Sequence, residues 1–191
     1  MASLFRAYNR ILNAHPFKTQ VVSTGTIMLF SDIFAQQVVD RRGWKGHDFA
    51  RTCRQALIGF FLVGPTLTVW YRTVDRVFKG APKIALLKKV AADQLLFAPP
   101  FIALFFTVNG VLTGMPPKHI KEILSKNYIP TLITNYKIWP AVQMFNFYLV
   151  PLYYRVLVAQ VVAVFWNTYL IWKAHDHPHL ESDPEIAIVS D

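Results

Sequence analysis

Between Ile138 and Trp172 the chain runs for 35 residues with a single formal charge, Arg155. Drawn as one straight helix at 1.5 Å per residue, the run would reach about 52 Å, against the ~30 Å hydrocarbon core of a bilayer. One simple span is excluded. Pro140 and Pro151 each remove a backbone donor, so the run reads as a helix that ends or kinks near Pro151, followed by a second apolar helix from about Tyr153. Tyr136 and Trp139 stand at one end, and Trp166, Tyr169 and Trp172 stand at the other, before Lys173. Amphipathic rings at both ends suit the headgroup level of a membrane. The buried core helix of a soluble protein could produce one such run, but not three further long, nearly uncharged segments in a chain of 191 residues.

Charge is scarce and segregated. Asp, Glu, Lys and Arg make up 16% of the chain, where ~25% is usual for a soluble domain. The net charge of +9 sits between the apolar runs, which points to the lipid bilayer and to anionic headgroups or anionic solutes as partners. No soluble basic face is evident, so direct nucleic-acid binding is not expected. Basic residues divide almost evenly between the two sides of a four-span arrangement, and the positive-inside rule assigns no orientation.

These patterns predict an all-α, polytopic transmembrane helix bundle. Residues 1–174 form a single membrane-embedded domain, and the acidic stretch 175–191 forms a disordered tail. Leu4, Phe5, Tyr8, Ile11 and Leu12 fall near one face of an amphipathic N-terminal helix carrying Arg6 and Arg10, expected to stay uncleaved at the interface. Four spans are expected near 17–39, 55–72, 94–113 and 130–150, with an apolar helix at 153–172 packed along them. Gly59, Gly64 and Pro65 predict close packing and a kink in the second span, Pro99-Pro100 a bend in the third, and Pro116-Pro117 its end. The connections read as a basic loop at Arg41–Arg54, a second at Arg72–Lys89, and a short amphipathic stretch at Lys118–Lys126.

No phosphate loop, His-Glu-x-x-His or cysteine pair is present, so no enzyme activity, cofactor or metal is expected. His175, His177 and His179 alternate in the tail and read as solvated. Cys53 is the sole cysteine. Its place between Arg51 and Arg54 makes it a redox candidate through a favoured thiolate, against the plainer reading of a small residue at a helix start. The sharper signal is polarity at membrane depth: Asp32, Gln36, Asp93, Gln94, Asn109, Gln143, Asn146, Arg155, Gln160 and Asn167. Gly25, Asp32 and Gln36 share one helical stripe. Interhelical hydrogen bonding is the plainer role for the amides, while Asp32, Asp93 and Arg155 divide evenly between pairing and pore lining. Arg155 is expected to meet Asp32 or Asp93. Arg41, Arg42, Arg51, Arg54, Lys88 and Lys89 would form a basic vestibule.

Several runs together resemble the family of small mitochondrial and peroxisomal membrane proteins typified by Mpv17. They are His15-Pro16, SDIFAQ (Ser31–Gln36), the Arg51–Gly59 stretch, GPTLTVWYRTVD (Gly64–Asp75), KKVAADQLLFAPP (Lys88–Pro100), WPAVQMFNFYLVPLYYR (Trp139–Arg155) and WNTYL (Trp166–Leu170). ITNYKIWPAVQ and YLIWKAH resemble the family's mitochondrial branch most. Ser31 stands where the family usually has Gly, and Ile171 where it usually has Ser. The resemblance implies a channel-like inner-membrane protein, with a peroxisomal membrane as the alternative, linked to membrane potential, nucleotide supply and mitochondrial DNA maintenance. A nucleotide or metabolite transporter and a non-transporting scaffold are the competing readings, and homo-oligomers or other membrane proteins are candidate partners.

Overall fold

The computed structural model describes residues 2–175, and within them every regular element is helical. The acidic tail with His177 and His179, and the side chains of Leu4, Phe5, Gln160, Asn167, Trp172 and His175, lie outside the described residues. The amphipathic helix α1, Ala2–Ala14, buries Leu12 and sets the Tyr8 hydroxyl 3.3 Å from Ser23 Oγ. Helix α2, Pro16–Phe34, widens into a π-turn at Ala35–Val39. A loop containing the 3₁₀ turn Trp44–Gly46 leads to α3, Phe49–Ile58. A second π-turn, Gly59–Val63, joins α3 to α4, Gly64–Val77. After a short turn, α5 (Pro82–Ala92) passes through a third π-turn, Asp93–Phe97, into α6, Ala98–Leu112. Helices α7, Pro117–Leu149, and α8, Leu152–His175, complete the described residues.

Proline sets most of these boundaries. Pro16, Pro82 and Pro117 each stand in a first turn, where the missing N–H would have had no helical partner. Pro65 and Pro99 lie just after π-turns: the wider turn takes up the lost hydrogen bond and the ring's bulk without breaking the rod. Pro130 and Pro140 lie inside α7, which continues to Leu149. Val150 is extended at φ −97°, ψ 125°, the backbone that a following proline enforces, so the break expected near Pro151 is found there.

The burial pattern is inverted relative to a water-soluble bundle. Polar and charged residues are as numerous in the interior as apolar ones, with Ser31, Asp32, Gln36, Thr131 and Asn146 fully inaccessible. Phe61, Leu95, Leu96, Tyr148 and Phe165 lie on the outside. Such a surface is stable against lipid, which also requires interior polar groups to find partners within the protein. By length and composition, the continuous rods Phe49–Val77 and Pro82–Leu112 can each cross a membrane.

Glycine brings α2 against the rod Phe49–Val77. A Cβ on Gly59 would lie 2.7 Å from Gly25 Cα, and one on Gly64 2.9 Å from Val21 Cα. Helix α2 also packs on α8, while α5 and α6 pack on α7. The apolar core centres on Met28, Ile58, Ile102, Phe105 and Phe106.

Three connections are shorter than expected. Asp48 accepts from Arg51 N at 2.8 Å and caps α3, so the first basic loop ends there and Arg51 and Arg54 are helical. The second shrinks to the turn after Val77. Lys118–Lys126 is not a connection at all but the opening of α7, because Pro117 starts the helix before it.

Candidate functional site

Two polar networks occupy opposite ends of the rod Phe49–Val77. Arg51 and Asp75 mark them, about 36 Å apart along the helix axis.

At the first end, the buried Asp32 Oδ1 accepts from Arg51 Nε at 2.8 Å. Its Oδ2 accepts from Thr52 Oγ1 at 2.6 Å and from Gln36 Nε2 at 2.8 Å. Arg51 Nη1 reaches Asp40 Oδ2 at 2.8 Å. Gln36 Oε1 accepts from Asp48 N at 2.7 Å, tying the loop to α2. His47 fits between Gln37 Nε2 at 3.0 Å and Thr52 Oγ1 at 3.1 Å. Since Gln37 offers a donor and Thr52 spends its proton on Asp32, donor bookkeeping places the His47 proton on Nε2. One cation thus faces two carboxylates, and nearly every polar atom is used.

At the second end, Arg155 Nη1 donates to Asp75 Oδ1 at 2.6 Å, and Lys89 donates to the same oxygen. Arg155 also binds the last carbonyls of α7 through Nε to Val150 O at 2.9 Å, while Asn146 Nδ2 donates to Arg155 O at 3.1 Å. This knot joins α4, α5, α7 and α8. About one turn back along the rod, Trp70 reaches Asp93 at the start of the third π-turn; Asp93 is held by hydrogen bonds from Trp70 Nε1 at 2.9 Å, Gln94 Nε2 at 2.7 Å and Gln143 Nε2 at 3.1 Å. Gln143 Nε2 also donates to the Tyr71 hydroxyl at 3.0 Å, and Asn135 Nδ2 to Gln94 Oε1 at 2.9 Å. Among the described residues no Lys or Arg lies within ion-pair distance of Asp93.

Asp93 opens into a central cavity of about 70 Å³. Tyr71, Asp93, Asn135 and Gln143 form its polar end, and Phe105, Trp139, Trp166 and Leu170 stand along its apolar walls. That volume is enough for more than one water molecule. Trp139 Nε1 is buried with no hydrogen-bond partner, a spare donor on a wall residue. Beyond the cavity the apolar core closes the bundle, and past it Gln55 Nε2 meets Asn109 Oδ1 at 2.6 Å, one turn from Arg51.

The expected pairing is therefore redistributed. Arg155 meets neither Asp32 nor Asp93, because α8 starts at the end of the bundle where Asp75 lies. Arg51 is no vestibule residue but the buried partner of Asp32. Lys89 is engaged with Asp75, whereas Arg41, Arg42 and Lys88 are exposed. Arg54 stands 3.9 Å from Asp48, and Cys53 is exposed on α3. Thr52, His47, Asp75 and Asn135 were not singled out from sequence, and Tyr71, whose place with Trp70 at the end of the second span suggests the membrane interface, is buried instead. Spacing could have found some: Asn127, Thr131, Asn135 and Gln143 repeat at multiples of four and are all buried in α7.

Residues 110–171 match the Mpv17 / PMP22 family. The mitochondrial inner membrane protein Mpv17 of Rattus norvegicus is 49% identical over 91% of this chain and 98% of its own length. The Homo sapiens protein of that name is 47% identical with the same coverage. Protein sym-1 of Neurospora crassa is 45% identical over 86% of this chain and 95% of its own. No solved structure matches.

Proposed function

Because this chain belongs to the Mpv17 / PMP22 family and is a mitochondrial inner-membrane protein, we propose that it is a weakly selective, channel-like pore in a closed state. The observation that carries this reading is Asp93, a buried carboxylate with no cation beside it among the described residues, facing an internal cavity. A bare carboxylate at membrane depth is unfavourable unless water, a proton or a cation reaches it, and such groups mark permeation paths. Exposed Arg41, Arg42 and Lys88 attract anions, while Asp93 attracts cations; opposing fields in series give poor discrimination. Met28, Ile58, Ile102, Phe105 and Phe106 form the apolar gate whose separation would connect the cavity to the Gln55–Asn109 pair.

The proposal takes the helices containing 17–39, 55–72, 94–113 and 130–150 as four spans, with α8 packed along them. It assigns no catalytic step. Influence on membrane potential, nucleotide and metabolite balance and mitochondrial DNA maintenance belongs to the same proposal, and rests on the family resemblance. Purified protein in planar bilayers tests it: single-channel conductance is expected. Silence with saturable nucleotide uptake into vesicles would replace the pore by a transporter, and silence in both assays by a scaffold.

A further inference from the structure

An open groove of about 430 Å³ lies outside the proposed path, between the turn after α4, the first turns of α5 and the end of α7. Asp75, Phe78, Lys79, Gly80, Lys89 and Tyr148 stand on its walls. Between Arg72 and Lys89 the chain has six Lys and Arg and one acid, Asp75. That acid already accepts from both Lys89 and Arg155, so it offsets little of the remaining positive field. Helix α5 has no side-chain cap, and the first N–H groups of an uncapped helix attract anions. Gly80, at φ 118°, has nothing within 4 Å of where a Cβ would be, leaving the approach to those N–H groups open. On the α7 side the surface turns apolar, with Phe145, Tyr148 and Leu149 exposed.

We propose that this groove binds the phosphate headgroup of an anionic phospholipid, the acyl chains lying along the exposed face of α7. Cationic headgroup contacts beside an apolar skirt fit a lipid better than a free phosphate, which has no use for Tyr148 or Leu149. The site is independent of conduction. Lys79 provides the clean test, since it is exposed and lies outside the Asp75–Lys89–Arg155 knot.

Native mass spectrometry of the detergent-solubilised full chain would measure retention of dioleoyl-phosphatidylglycerol against dioleoyl-phosphatidylcholine. Preference for the anionic lipid is expected to fall about fivefold in Lys79→Gln, the weight of one interfacial charge. Lys121→Gln, exposed at the opposite end of the bundle, should leave it unchanged. Tyr148→Ser should weaken retention of both lipids. Unaltered melting temperatures in phosphatidylcholine would establish that the variants are folded. Equal effects of Lys79→Gln and Lys121→Gln would overturn the site in favour of net charge alone. Displacement of the lipid by millimolar inorganic phosphate would overturn the lipid assignment in favour of a soluble anion.

Discussion

The Asp32–Arg51 network and the Asp93 network are both buried, and both are built from one carboxylate surrounded by donors. They differ in compensation and in surroundings. Asp32 has a guanidinium 2.8 Å away and lies within packed protein, while Asp93 has only neutral donors and a cavity beside it. Ion pairing with most polar atoms satisfied, Arg51 Nη2 excepted, holds a loop and two helices in one arrangement. A carboxylate left without a cation contributes poorly to stability and is the better placed to meet a mobile ion or proton.

Breaking the compensated end should have the largest effect. Arg51→Met leaves Asp32 uncompensated and is expected to lower stability by about 3–5 kcal/mol, seen as a lower melting temperature in detergent. Adding Asp32→Leu should recover much of that loss. If the double variant melted no higher than the single, the network would owe its value to packing and not to charge.

Next comes the glycine contact supporting that end. Gly59→Ala forces a Cβ to 2.7 Å from Gly25 Cα and 2.9 Å from Met28 Cβ, and overpacking of this kind costs about 1–3 kcal/mol. Ala at Gly46, an exposed turn position outside the left-handed region, is the control for loss of glycine as such, since the nearest atom to its Cβ position, Arg42 Cβ, lies at an ordinary 3.7 Å. Equal stability losses in the two variants would remove close helix approach as the explanation.

Asp75→Asn tests the partly exposed knot. Arg155 keeps the carbonyls of α7, so a loss of about 1–2 kcal/mol is expected, decreasing as salt rises. A salt-independent loss would mean that Asp75 acts through packing or hydrogen-bond geometry.

How much of this could be read from residues alone depends on whether the feature is local. Helix starts at Pro16 and Pro82, the stripe Gly25–Asp32–Gln36 and the break before Pro151 follow from single-helix geometry, and the structure has them, whereas Pro116-Pro117, expected only to end a span, also opens α7. Arg51 was misplaced because it was grouped with Arg54 as a basic run; once Asp48 caps α3, Arg51, Thr52 and Gln55 face inward while Cys53 faces out. The partner of Arg155 was not legible, since it depends on which ends of α4 and α8 coincide in space across 80 residues of sequence. The π-turns were also missed: proline signalled a disturbance in the rods, but whether it becomes a kink or a wider turn depends on packing by neighbouring helices. The cavity beside Asp93 arises from four separate elements and has no local signature.

The comparison is tested most directly by Asp93→Asn, measured for melting temperature and for reversal potential across a potassium chloride gradient in planar bilayers. Neutralising an uncompensated carboxylate should leave stability within about 1 kcal/mol of the parent, or raise it, while moving the reversal potential toward the chloride equilibrium value. A stability loss as large as that of Arg51→Met, with ion selectivity unchanged, would contradict the account and make Asp93 a second structural staple.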